Sequence, residues 1–220
     1  MENRPSILTP AIDPALEMSD SDLFWQEHWQ KFVWALAAIV LAIIIAGAWA
    51  FRSAQVRSAA EAALGAAKDP ESWRQVVSDF PGTVAAGNAQ LLVAGSLRAS
   101  GDLAGAAAEL EKFTAAQPTH PLAGTAWLTL GEIYQAQGLN DKALSAYRTS
   151  SSDYQAAYTA PLAMIAEARL VAAGGQSGEA RAILESVGAL YPETPGAMVA
   201  AGELAAMTPP AAAAPLPATE

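Results

Sequence analysis

The chain has no cysteine, and His28 and His120 are all the imidazole it carries. Disulfides, iron–sulfur clusters, thiol nucleophiles and cysteine-based zinc sites are excluded, and no nucleophile–base pair or cluster of metal ligands can be assembled. Positive charge is also scarce: 12 Lys+Arg stand against 22 Asp+Glu, a net charge of −10. A chain so acidic repels phosphate backbones and is a poor binder of nucleic acid. Ser150-Ser151-Ser152 and Gly174-Gly175 lack the strand and the lysine of a phosphate-binding loop. No enzyme and no cofactor are expected. Aromatic residues are few and alanine is abundant, which favours helices almost throughout.

What the chain does have is residues 32–51, FVWALAAIVLAIIIAGAWAF, twenty positions without charge or proline. As a helix rising ~1.5 Å per residue this run reaches about 30 Å, the thickness of a bilayer's hydrocarbon core. A transmembrane helix is therefore predicted at 32–51. Trp34 and Trp49 lie near its ends, where an indole keeps its ring in apolar surroundings and its N–H among headgroups. Ala46-Gly47-Ala48 has signal-peptidase spacing, but a long acidic leader and an apolar core of this length argue for a retained anchor. Ala38, Ala42, Ala46 and Ala50 recur every four residues and form a small-residue face suited to close helix packing.

Before the span, residues 1–18 hold three prolines and no apolar period, and are read as a disordered tail. Ser19 or Ser21 can cap a short interfacial helix at 19–31, whose apolar side holds Leu23, Phe24, Trp25 and Trp29. His28 belongs to that aromatic side. After the span, helix is expected to continue to about Ala67, to break at Asp69-Pro70 and to restart at Glu71.

A period then appears. Gly101, Gly138 and Gly175 are spaced by 37 residues, and each is followed five residues later by Ala106, Ala143 or Ala180. Ala94, Gly131 and Ala168 are all small, Leu110, Tyr147 and Leu184 all large, and Pro81, Pro118 and Pro192 share a register in which Gln155 is the exception. In the middle copy Trp127, Leu130, Gly131, Tyr134, Ala143 and Tyr147 reproduce the spacing W-x2-L-G-x2-Y…A-x3-F, with tyrosine for the phenylalanine. Over residues 53–207 the chain thus resembles the tetratricopeptide repeat family. Gln90 and Met164 replace the tryptophan in the flanking copies. The expected fold is all-α, a single transmembrane helix followed by a helical-repeat solenoid. The extra residues of a 37-residue step are expected in the turns between repeats, where His120 is structural or solvated. Residues 53–80 form a degenerate first repeat, 196–207 a closing helix, and 208–220 a Pro/Ala-rich disordered tail.

Stacked helix pairs line a concave groove with their first helices. Helical register puts Asn88, Leu91, Arg98, Thr125, Leu128, Glu132, Gln135, Leu162, Ile165 and Arg169 on that strip. Leu91, Leu128 and Ile165 are equivalent, and an apolar row suits an amphipathic helix or apolar peptide. The alternative is that the chain's own closing helix covers the row.

The layout of acidic tail, single span and short alanine-rich repeat domain is similar to the YfgM-like family, ancillary subunits of the Sec translocon. That resemblance implies a membrane-anchored scaffold whose repeats contact other proteins outside the cytoplasm, among them the translocon and chaperones. Counting basic residues, Lys31 before the span against Arg52, Arg57 and Lys68 after it, would instead put the repeats in the cytoplasm. Long domains are exported largely regardless of charge, so the expectation follows the resemblance: an inner-membrane protein with an exported repeat domain. A cytoplasm-facing scaffold, or a structural subunit self-associating through the alanine face, is the alternative.

Overall fold

A computed structural model describes residues 20–207. The tails expected at 1–18 and 208–220, and a cap at Ser19, lie outside the described residues. Among those described, every regular element is an α-helix.

The first, α1 (Asp20–Ala66), runs for 47 residues without interruption. It has no proline, and its uncharged run passes directly into an alanine-rich stretch of high helix propensity. Residues 20–31, expected as a separate interfacial helix, and 32–51, expected as the span, are set apart by no break in this one helix, which is about 70 Å long at ~1.5 Å per residue. Within it, His28–Ala66 is long and apolar enough to cross a membrane, and none of its most apolar window is buried inside the protein. Towards its start Trp25 and Phe32 lie 5.0 Å apart, and His28 stacks on Phe24 at 4.7 Å.

Packing divides the chain into two units, Met1–Gln55 and Val56–Glu220. In the second, the end of α1 is followed by α2 (Pro70–Asp79), α3 (Val84–Ala99), α4 (Leu103–Ala116), α5 (Ala123–Ala136), α6 (Asn140–Ser152), α7 (Ala160–Ala173), α8 (Ser177–Leu190) and α9 (Pro195–Met207). The break before α2 is enforced by Asp69, whose side chain accepts from the backbone N–H of Glu71 and Ser72, while the Ser72 hydroxyl takes the N–H of Asp69. These N–H groups, that of Ser72 first, hold the Asp69 carboxyl below its ordinary value.

Three helix pairs, α3–α4, α5–α6 and α7–α8, share one device. Each turn is three residues, 100–102, 137–139 and 174–176. At its centre Gly101, Gly138 and Gly175 have φ of +85°, +75° and +87°, a region unfavourable for side chains. In each, the next residue's N–H returns five positions, from Asp102 to Leu97, Leu139 to Tyr134 and Gln176 to Val171, closing the helix in a Schellman-type cap. The turns between pairs vary instead: 80–83, 117–122, 153–159 and 191–194. Length is accommodated there, and the register that breaks at Gln155 falls in the longest of them.

Each helix from α2 onwards packs on its neighbour in sequence, and α5 also meets α7, and α7 meets α9. Two apolar clusters result. One gathers Ala106, Leu110, Phe113, Leu130, Ile133, Ala143 and Tyr147; the other gathers Ile165, Ala168, Val171, Ala180, Leu184, Val187 and Ala200. Ala106, Ala143 and Ala180 are all fully buried at the pair crossings, and Gly131 lies against the Tyr147 ring so closely that no Cβ fits. Gln90, at the tryptophan position of α3, is buried and donates to the Glu109 carbonyl of α4 at 3.2 Å.

Candidate partner-binding surface

The first helices α3, α5 and α7 carry the strip predicted to face a partner, and the structure sorts its residues by depth. Arg98, Glu132, Gln135, Leu162 and Arg169 are exposed; Asn88, Leu91 and Thr125 are half-buried. Leu128 and Ile165 are interior, 8% and 2% exposed. Leu128 sits in the cluster with Ala163 and Leu170 of α7, and Leu91 packs on that cluster. Ile165 shares the second cluster with Ala200 of the closing helix α9. First helices pack on one another as well as on their partners, so the apolar row lies under the surface and the open strip is mostly polar.

Its charges are arranged in pairs. Arg98 of α3 meets Glu132 of α5 at 3.2 Å, and Arg169 of α7 meets Glu203 of α9 through Nε at 2.8 Å. Both pairs join residues 34 apart, about one helical turn short of the repeat step, so each bridges consecutive first helices. Gln135 accepts the Tyr147 hydroxyl at 2.7 Å. Burial, and then the Glu132 charge, push the Tyr147 phenol up to about 12. On the flank, Tyr134 donates to the Glu111 carboxylate; burial first and this bond second raise its phenol to about 12. With both arginines engaged by glutamates, the strip is better suited to a partner that contributes apolar and hydrogen-bonding groups than to a bare carboxylate.

Several side chains that organise this surface were not singled out from sequence. Tyr154 donates to the Pro118 carbonyl at 3.0 Å and Tyr191 to the Gln155 carbonyl at 3.2 Å. Donors and acceptors are each 37 residues apart, so the period contained the signal. Arg148 of α6 holds the buried Glu167 of α7 at 2.6 Å and reaches Glu179 of α8 at 3.7 Å, and the bond to Glu167 raises its guanidinium further above the ordinary value. His120 is buried, with Leu122 N–H donating to Nδ1 and Nε2 donating to the Val84 carbonyl; its ring stands edge-on to Phe113. Near the C-terminal end of the strip an apolar cleft of about 500 Å³ opens between the 153–159 turn and the start of α9, with Tyr158, Pro161, Leu162, Tyr191 and Pro195 in its walls. Among the described residues no group of three or more His, Asp or Glu side chains is placed to hold a metal ion. On α1, Ala38, Ala42, Ala46 and Ala50 are all exposed.

No protein-family model matches the chain, and no curated protein sequence matches it either. Solved structures do. It is similar to a Podosopora anserina protein described as carrying kinesin light chain nearly identical TPR-like repeats, with 22% identity and a TM-score of 0.51 over 71% of this chain and 85% of that one. A second structure, of a variant form of that protein, gives the same identity and score, over 71% and 84%. The fold is therefore that of the TPR-like helical repeats, all-α, preceded by one long apolar helix.

Proposed function

We propose that the protein is a membrane-anchored scaffold for protein–protein contact, held by α1 and presenting its repeat surface to other proteins. The observation that carries this reading is the exposed apolar helix α1 running without a break into the start of the repeat array. An interior helix would have its apolar length covered, and here that length is bare. The binding surface is the outer part of the strip, with Asn88, Thr125, Gln135 and Leu162 as contacts, Arg98, Glu132 and Arg169 setting its polarity, and Leu91, Leu128 and Ile165 supporting it from beneath.

The finer reading follows the similarity of layout to the YfgM-like translocon subunits. The repeats lie outside the cytoplasm and meet newly exported chains, the translocon or chaperones. Affinity capture in mild detergent after cross-linking tests it: membrane or secretory partners are expected, and a solitary monomer under several detergents overturns it. Orientation is read separately. The chain has no cysteine, so Ser152→Cys, exposed at the end of α6, reports alone. Labelling by a membrane-impermeant maleimide with the inner membrane intact is expected; labelling only after that membrane is broken places the repeats in the cytoplasm.

A second reading is favoured by the exposed row Ala38, Ala42, Ala46 and Ala50, which makes α1 an assembly helix. Ala42→Leu with Ala46→Leu would then abolish cross-linked oligomers, and an unchanged pattern rejects it.

A further inference from the structure

The turns that link one helix pair to the next share a backbone pattern. In each, one N–H donates to the carbonyl three residues back: Thr83 to Phe80, His120 to Gln117, Ala157 to Tyr154 and Thr194 to Tyr191. In the last three, the carbonyl of that same residue then takes the N–H of Ala123, Ala160 or Ala197. Equivalent positions in these turns are therefore 37 residues apart, and what fills the space between one turn and the next can be compared position by position.

Between the first two turns the filling is an imidazole. His120 Nδ1 accepts the Leu122 N–H at 3.1 Å, so its proton is on Nε2, which gives it to the Val84 carbonyl at 3.2 Å. The ring lies over Gly87 so closely that no Cβ fits there. Two steps further on, Tyr158, Pro161, Thr194 and Gly196 stand where Val84, Gly87, His120 and Leu122 stand, and all four line the cleft of about 500 Å³. Thr194 is too short to cross it. Its hydroxyl turns back into its own turn, donating to the Tyr191 carbonyl at 2.8 Å and accepting from the Ala197 N–H at 3.3 Å. The two backbone groups that would hold a ring are both left over. The Tyr158 carbonyl takes no hydrogen bond among the described residues, Pro161 having no N–H to give it. The Gly196 N–H lies in the first turn of α9, where a helix supplies no acceptor.

We infer that this cleft is a seat for a neutral imidazole, taken by a histidine side chain of a partner protein. One ring nitrogen donates to the Tyr158 carbonyl and the other accepts from the Gly196 N–H, the same pair of bonds that His120 makes within the chain. Tyr158, 73% exposed, and Tyr191, fixed by its bond to the Gln155 carbonyl at 3.2 Å, flank the ring together with Pro161 and Pro195. No carboxylate lines the cleft to draw a cation, and a neutral ring with both nitrogens bonded loses little on leaving water. The volume is that of a small-ligand site, with room beyond the ring for an apolar neighbour of the histidine against Leu162. Leu162 also belongs to the strip, so the seat continues the partner-binding surface. That a protein supplies the histidine rests on the scaffold reading; the seat itself does not.

The test is a titration of the full chain in detergent with N-acetylhistidine methylamide, followed at the Gly196 backbone amide by nuclear magnetic resonance. A saturable downfield shift is expected. Methylation of either ring nitrogen removes one of the two bonds, so both N-methyl isomers should bind about fivefold more weakly. Thr194→His should place a ring in the seat within the chain, shifting the Gly196 amide at the outset and abolishing the titration. Tyr158→Ala, on an exposed side chain, should weaken binding with the helical circular dichroism unchanged. No saturable shift at Gly196 overturns the inference, as do equal affinities for the three probes or binding indifferent to both variants. Failure of partner capture leaves these results untouched, so the two readings fail separately.

Discussion

Gly131 and Tyr147 show how residue volumes are matched across the repeats. The middle pair combines a glycine with a tyrosine, whereas the flanking pairs set Ala94 with Leu110 and Ala168 with Leu184 in the same clusters. A Cβ at 131 would penetrate the Tyr147 ring. Gly131→Ala is therefore expected to cost about 1–3 kcal/mol of stability through overpacking. Gly131→Ala/Tyr147→Leu, which recreates the flanking combination, should recover most of it. Chemical denaturation of the four species of this cycle reads the coupling, and strictly additive losses would disprove the volume match.

Depth separates residues that register alone puts together. Leu128→Glu and Ile165→Glu bury an unpaired carboxylate and should lower stability by several kcal/mol. Leu162→Glu, on an exposed side chain, should shift the melting temperature little. The sequence showed which face these leucines and isoleucine occupy because a helix repeats every 3.6 residues. It did not show how far neighbouring first helices close over that face, since that depends on tertiary packing between residues a repeat apart. The motif residues were legible for the opposite reason: Gly131, Ala143 and Tyr147 meet within one helix pair, where local geometry dictates size.

At the level of elements, the uniform three-residue turns were readable from the glycine spacing, because a left-handed cap admits little else. The continuity of α1 was only partly so: residues 20–31 and 32–51 differ in composition but not in backbone. Links between pairs were hidden, since they depend on side chains meeting across separate helices. Two of these links are expected to differ in energy. Arg148→Ala leaves the Glu167 carboxylate, 8% exposed, without its partner, and a loss of about 2–3 kcal/mol is expected. Arg98→Ala breaks a pair half exposed on both sides and should cost under about 1 kcal/mol. Thermal unfolding of the two variants side by side checks the order, and equal losses would show that burial does not set the value of these pairs.

For the molecule as a whole, alkali is the sensitive direction. Tyr134 and Tyr147 are both raised from 10.0 to about 12 in the fold. Below pH 10 each is protonated whether folded or unfolded, so their contribution is fully present. Between about 10 and 12 the unfolded chain releases protons that the folded chain retains, and stability falls as pH rises. The melting temperature should decline across that window, and Tyr147→Phe should flatten the decline even if it lowers stability at neutral pH. A slope unchanged by that substitution would remove Tyr147 as its cause.

The neighbour-on-neighbour packing from α2 to α9 also has a kinetic side. A helix that finds its partners in the adjacent thirty or so residues waits for nothing distant, so contact order is low and folding is fast. A domain built this way can consolidate pair by pair in the order in which it emerges. Among the described residues α9 is the last helix, and because it packs over Ile165 and pairs Glu203 with Arg169, this end of the strip takes its form only once α9 has docked.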